Sequence, residues 1–401
     1  MAEVSVPSGT NFEFLMAFPS NSDFTLAQQL ANTLLGPSQN GTETFSLYTG
    51  NGQTVPTVPG GHVGVLAVLE QAAPLDTLIT VPSGYSFNAI ETYNGFTSVQ
   101  GNGGENQATL LSSVTGIDFN TGGGSGTVVA GSGNNLIGTP TAGGSNYFLL
   151  GGNGNDTFTA FSGNDTVSPG GGSNLVGLGS GNDSVALSGT NDTVIGGSGD
   201  DTVSVSGNDA VLVAGDSGKL NFINGNGYST VVGGSGSETI QGGVGGGLFQ
   251  GGAAGNNSIQ GGSGKMIAFA GGSGDTLAAG GSAGDALVAA AGNETLTSAG
   301  STGQDTMYGG SGSDAMIAGA GGDLMLGGTG AMNFEFTNGV TNAASTYNVY
   351  NWNAGDTVTL SGYTGTPTVT SAGGSTVLGL SDGTKITFVG VASGSALNIQ
   401  T

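Results

Sequence analysis

The residues best suited to chemistry in this sequence are aspartates set at a fixed interval. Asp156, Asp165, Asn174, Asp183, Asp192 and Asp201 follow one another at steps of nine residues. Asp305, Asp314 and Asp323 keep the same step further along. Two residues after each stands an apolar side chain, as in Phe158, Val167, Val176, Val185, Val194 and Val203, and again in Met307, Met316 and Met325. Two residues before the first-block positions stands glycine, with Thr190 the one exception. Carboxylates beside glycine-rich turns, whose backbone carbonyls can aim at one point, make the hard oxygen cage that Ca²⁺ prefers. Mg²⁺ fits less well, because it retains its waters and needs a small octahedron.

The spacing also dictates the scaffold. Each nine-residue unit reads as a turn, where glycine permits positive φ, and a short strand with one apolar residue facing inward. Two units make a coil of eighteen residues, and coils stack by parallel strand pairing. Asp165, Asp183 and Asp201 then form one column, and Asp156, Asn174 and Asp192 another on the opposite edge. Stacked carboxylates about 5 Å apart repel by roughly 3 kcal/mol at an effective dielectric near 20. Protonation, divergence into water or an intervening cation must relieve that. The alternative is that these Asp and Asn side chains accept turn amides, as they do in many turns. The repulsion favours calcium for the first block.

Three stretches carry a family resemblance. They are Gly151-Gly152-Asn153-Gly154-Asn155-Asp156-Thr157-Phe158, Gly196-Gly197-Ser198-Gly199-Asp200-Asp201-Thr202-Val203 and Gly309-Gly310-Ser311-Gly312-Ser313-Asp314-Ala315-Met316. They resemble the G-G-x-G-x-D-x-U-x nonapeptide of repeats-in-toxin (RTX) proteins, a calcium-binding β-helix signature. The resemblance implies a parallel β-roll with Ca²⁺ held between successive turns by Asp156, Asp165, Asp183, Asp192, Asp201, Asp305, Asp314 and Asp323. It also implies a bacterial protein exported by a type I system through an uncleaved C-terminal signal, which the chain from Ile386 to Ile399 resembles. Many repeats lack the double glycine. Asn174 and Asn257 replace Asp, Glu238 and Glu294 substitute for it, and Lys265-Met266 follows Gly262-Ser263-Gly264. The expectation is a loaded block from Asp156 to Asp201, a second from Asp305 to Asp323, and a largely metal-free stretch between.

Composition narrows the function classes. Glycine supplies 84 of 401 residues, but only 10 are Pro and no Gly triplet recurs, so the chain is not collagen. Lys plus Arg total 3 against 27 Asp plus Glu, a net charge of -24. Such a chain repels nucleic acid and anionic membranes, so neither a nucleic-acid partner nor membrane insertion is expected. Cysteine is absent, which excludes disulfides and thiolate sites. His62 is the single histidine, too little for a zinc site or a His-based triad, and it follows Gly60-Gly61 as a turn residue would. The start, Met1-Ala2-Glu3-Val4-Ser5, lacks the pattern of a secretory leader.

The expected fold is all-β, a parallel β-roll or β-solenoid with a β-rich N-terminal cap and a short β-rich C-terminal segment. Residues 1–122 read as the cap with one short helix, 24–35, opened by Asp23 and stopped by Gly36. Residues 123–336 are the repeat. Residues 337–401 return to ordinary strands, with Asp382-Gly383 as a hairpin turn before Lys385. The function expected is a non-catalytic structural protein, extracellular or on the bacterial cell surface, that assembles with itself into a layer or filament. A second reading is adhesion to extracellular polysaccharide through Trp352, Tyr347, Tyr350 and Tyr363, which more often pack as core. A third is glycoside chemistry by paired carboxylates, a weak signal in so acidic a solenoid.

Overall fold

The computed structural model describes residues 2–7, 13–18, 43–48, 55, 57–58, 63–70, 78–92, 97–104, 107–139, 144–160, 162–206, 209–213, 218–392 and 397–401. The helix expected over 24–35 and His62 lie outside them. Every regular element among the described residues is a strand. The chain divides into two compact units, Met1–Val203 and Ser204–Thr401, and each is a stack of parallel coils in its own right.

In the first unit, successive strands alternate between two sheets. One wall runs through Val63–Glu70, Tyr85–Thr92, Gln107–Ser113, Gly126–Ala130, Tyr147–Leu150, Thr166–Gly170 and Ser184–Leu187, all paired parallel. The other runs through Leu78–Thr80, Thr97–Gln100, Ile117–Asn120, Leu136–Gly138, Thr157–Thr159, Leu175–Gly177 and Asp192–Ile195. Coil stacking therefore already holds in strands that precede the nine-residue aspartate pattern. Phe158 sits over Val176 and Val176 over Val194, while Val167 sits over Val185. All five are at most 1% exposed. A strand of three residues can turn only its middle side chain inward, so the ladder of plus-two residues is the core.

The second unit repeats this logic through longer coils. Leu277 pairs with Leu296, Leu296 with Met316 and Met316 with Phe334, although the steps differ in length. The insertions fall in the turns, and the inward residue keeps its register. Near the end, Thr368–Ala372, Ser375–Gly379 and Lys385–Phe388 form an antiparallel meander. Its turn is at Asp382-Gly383, where Gly383 has φ +96. Phe388, Trp352 and Phe334 pack in series, with ring centroids 5.2 Å and 5.9 Å apart.

The turns are glycine for a steric reason as well as a torsional one. Gly163 has φ +107, and a Cβ there would stand 1.8 Å from the Ser145 carbonyl oxygen of the adjoining coil. Coil stacking at strand spacing leaves no room for a side chain at that point.

Candidate functional site

Each turn aspartate stands at, or next to, the first residue of its strand, which fixes its buried carboxylate at the coil edge. Asp156, Asp165, Asp183, Asp192 and Asp201 are between 1% and 6% exposed. They stack as two columns in the first unit. Asp165 Oδ1 accepts the Tyr147 amide at 2.7 Å, Asp183 Oδ1 the Asp165 amide at 2.7 Å, and Asp201 Oδ1 the Asp183 amide at 3.0 Å. The preceding asparagines bond in the opposite direction, with Asn164 Oδ1 accepting the Asn182 amide at 2.8 Å. An Asn-Asp pair thus grips the coils on both of its sides.

The two columns differ electrostatically. On one edge Asn and Asp alternate. Asn135 Nδ2 donates to Asp156 Oδ1, and Asn174 Nδ2 to Asp192 Oδ1, both at 2.9 Å. Among the described side chains of this edge in the first unit, no two carboxylates adjoin. On the other edge Asp165, Asp183 and Asp201 adjoin directly. Burial pushes the Asp165 and Asp183 carboxyls up to about 6, against the lowering effect of the amides they accept, and the next Asp in the column adds to the rise. Burial also raises Asp156, Asp192 and Asp201.

The second unit has its own all-aspartate column, Asp285, Asp305 and Asp323. Met266, Asp285 and Asp305 donate their amides to the three Oδ1 atoms in turn. Burial lifts Asp305 to about 7. The facing edge carries Glu238, Asn257, Asp275, Glu294, Asp314 and Asp356, all buried. Glu294 rises to about 7 through burial and the adjoining Asp314.

The amide-accepting and calcium-binding alternatives are divided between oxygens. Oδ1 does the structural work of accepting an amide. The second oxygen separates the positions. In Asp314 it accepts the Gly310 amide at 2.9 Å. In Asp323 it accepts Ser298 Oγ at 2.7 Å and the Gly319 amide at 2.9 Å. In Asp156, Asp165 and Asp305 the buried Oδ2, and in Glu238 and Glu294 both carboxylate oxygens, make no hydrogen bond of normal geometry. Only weaker donors approach, Gly152 at Asp156, Ser301 at Asp305, Gly234 and Gly252 at Glu238, and Gly292 at Glu294. An unpaired buried carboxylate oxygen is costly, and a cation removes that cost.

Glycine lets carboxylate and carbonyl oxygens converge beside these positions. A Cβ on Gly151 would stand 2.0 Å from the Pro169 carbonyl oxygen and 2.7 Å from Asp156 Oδ2. On Gly252 it would stand 2.1 Å from Glu238 Oε2 and 2.2 Å from the Gly236 carbonyl oxygen. Carboxylate and carbonyl oxygens therefore come close together where glycine has no side chain. Among the described residues no three His, Cys, Asp or Glu side chains converge, so backbone carbonyls would supply most ligands to an ion. The residues fit calcium best at Asp156, Asp165, Asp305 and the two glutamates. An ion there would neutralise stacked carboxylates and tie turn to turn.

Asp285 keeps the sequence frame across a coil of 20 residues, while Asp356 escapes it because its coil is 24 residues by its amide partner. Their signal is the apolar residue at plus two, Leu287 and Val358. The aromatic cluster divides as well. Tyr347 is buried, donates from its hydroxyl to the Gly319 carbonyl at 2.8 Å, and is pushed up to about 12 by burial. Tyr363 pairs with Thr341 through their hydroxyls. Trp352 and Tyr350 remain partly exposed.

A family model for four copies of the RTX calcium-binding nonapeptide repeat matches residues 142–176, 178–211 and 299–331. No curated protein matches the chain. The matched segments contain Asp165, Asp183 and Asp201, together with Asp305 and Asp323 of the second all-aspartate column. The chain carries RTX calcium-binding nonapeptide repeats, folded as a parallel β-solenoid, and such repeats bind Ca²⁺ as a structural ligand.

Proposed function

We propose that this protein is a secreted bacterial structural protein of the cell surface or extracellular matrix, non-catalytic, with calcium as the condition of its rigidity. The observation that carries this reading is the set of buried carboxylates, in both units, with oxygens that make no hydrogen bond of normal geometry. Such coils are incomplete in a medium poor in calcium and complete in one rich in it. Extracellular calcium modules work at about 10⁻⁴–10⁻³ M, so the same chain would stiffen once exported. Stacked coils give a repeated surface, which suits a layer or filament built from further copies of the chain.

Sedimentation velocity with calcium and then with chelator tests this. A calcium-dependent rise to large species supports self-assembly. A compact monomer in calcium and an expanded one in chelator keeps the calcium-dependent fold but removes the polymer. Identical profiles in both conditions remove calcium from the reading.

A further inference from the structure

The outer face of one sheet in the second unit carries an aromatic ladder. Phe269 pairs with Val288, Val288 with Tyr308, Tyr308 with Leu326, and Leu326 with Tyr350. Phe269, Tyr308 and Tyr350 are 39%, 41% and 37% exposed. They stand on every second strand, with an aliphatic residue between. The neighbouring outward column contributes Leu248, Ile267 and Leu324, which are half-buried. No side chain charged at neutral pH stands in either column, in a chain of net charge -24. The opposite sheet differs over the same coils. Its outward residues run Thr239, Ser258, Thr276 and Thr295.

A groove of about 670 Å³ adjoins the ladder where these strands end. Ser311, Thr329, Asn351, Trp352 and Asn353 line it. Rings on a flat face beside hydroxyls and amides form a surface suited to sugars, which are apolar on their faces and polar at their edges.

We propose that this face binds an extended, uncharged β-1,4-linked glucan laid along the coil stack. Two strand spacings advance about 10 Å, and the two-sugar repeat of such a glucan has the same length. Phe269, Tyr308 and Tyr350 then each meet an equivalent sugar, while the groove residues bond the hydroxyls along one edge. Size selects against the other occupant, a second copy of the chain. From Val232 to Tyr350 the ladder is roughly 30 Å by 10 Å, or ~300 Å², against about 800 Å² per partner in a stable interface. The inference stands apart from the secretion and assembly proposed above, because it is read on purified protein.

The test is depletion of the full chain from calcium-containing solution by microcrystalline cellulose. The protein should be retained. The combined variant Phe269→Ser, Tyr308→Ser, Tyr350→Ser should lose retention by about tenfold or more, with an unchanged circular dichroism spectrum. Thr239→Ala with Gln241→Ala, on the opposite face, should bind as the parent does. Trp352 is the only tryptophan, so a soluble cello-oligosaccharide should alter the emission of the parent and not that of the aromatic variant. No retention of the parent overturns the proposal, as does equal retention of the aromatic variant. So does a parent dimer that the aromatic variant abolishes, which would assign the face to a second copy.

Discussion

Raising the pH of the calcium-free protein should destabilise it between about pH 4 and pH 7, the range set by raised carboxyl pKa values. The folded-state values are about 6 for Asp165 and Asp183 and about 7 for Asp305 and Glu294. The ordinary values are 3.8 for Asp and 4.5 for Glu. Between the two values the folded chain holds protons that the unfolded chain has lost. Stability is therefore complete below the unfolded pKa and falls as pH rises through the folded one. A two-unit rise is worth ~3 kcal/mol unscreened. Screening by nearby solvent at the coil edge leaves about 1 kcal/mol per group. Two groups per unit then give ~2 kcal/mol, or about 4–8 °C in Tm for units of this size. The first unit should lose its share by about pH 6 and the second by about pH 7. Melts followed by circular dichroism in chelator, at pH values from 4.5 to 8, read this directly. Asp165→Asn with Asp183→Asn should flatten the first-unit response, which separates these groups from general charge repulsion. A Tm in chelator that holds or rises toward pH 8 would refute the reasoning.

Other outcomes follow from the same geometry. Asp183→Asn preserves an acceptor for the Asp165 amide, so it should raise calcium-free stability at pH 8 by roughly 1 kcal/mol and lower the gain from calcium. Asp192→Asn, on the alternating edge, should change the calcium-free melt less. Gly163→Ala places a Cβ against the Ser145 carbonyl oxygen at positive φ. It should cost about 2 kcal/mol or more in chemical denaturation. Phe249→Ala empties a fully buried position that pairs with Val231 and Ala268. It should cost about 3–5 kcal/mol by the same measurement.

Much of this was legible because the period is short and each position has one job. The plus-two apolar residues from Phe158 to Val203 had to face inward, since a three-residue strand has only one inward side chain. The columns followed from the eighteen-residue coil, and the Asp382-Gly383 turn from its residue types. The coil length was less legible in the second unit, because turns absorb insertions without moving the core. Asp356 was hidden by that. The division of labour between carboxylate oxygens was not legible at all, because whether Oδ2 meets a glycine amide depends on the turn. Asp314 and Asp323 look like Asp156 in sequence, but turn groups saturate them and leave Asp156 unpaired. The ladder of Phe269, Tyr308 and Tyr350 was equally hidden. Its spacing is regular along the stack, while unequal turns make it irregular along the chain.

The central claim is that the unpaired buried carboxylate oxygens are calcium ligands. Calorimetric titration of the purified chain with Ca²⁺ near pH 6.5, in two buffers of different ionisation enthalpy, tests it most directly. Carboxyls at about 6 and about 7 are partly protonated there. The account predicts saturable binding of several ions per chain with proton release, weakened when Asp165 and Asp305 are both changed to Asn. Absence of saturable binding at millimolar calcium, or binding that releases no protons and ignores both substitutions, would contradict it.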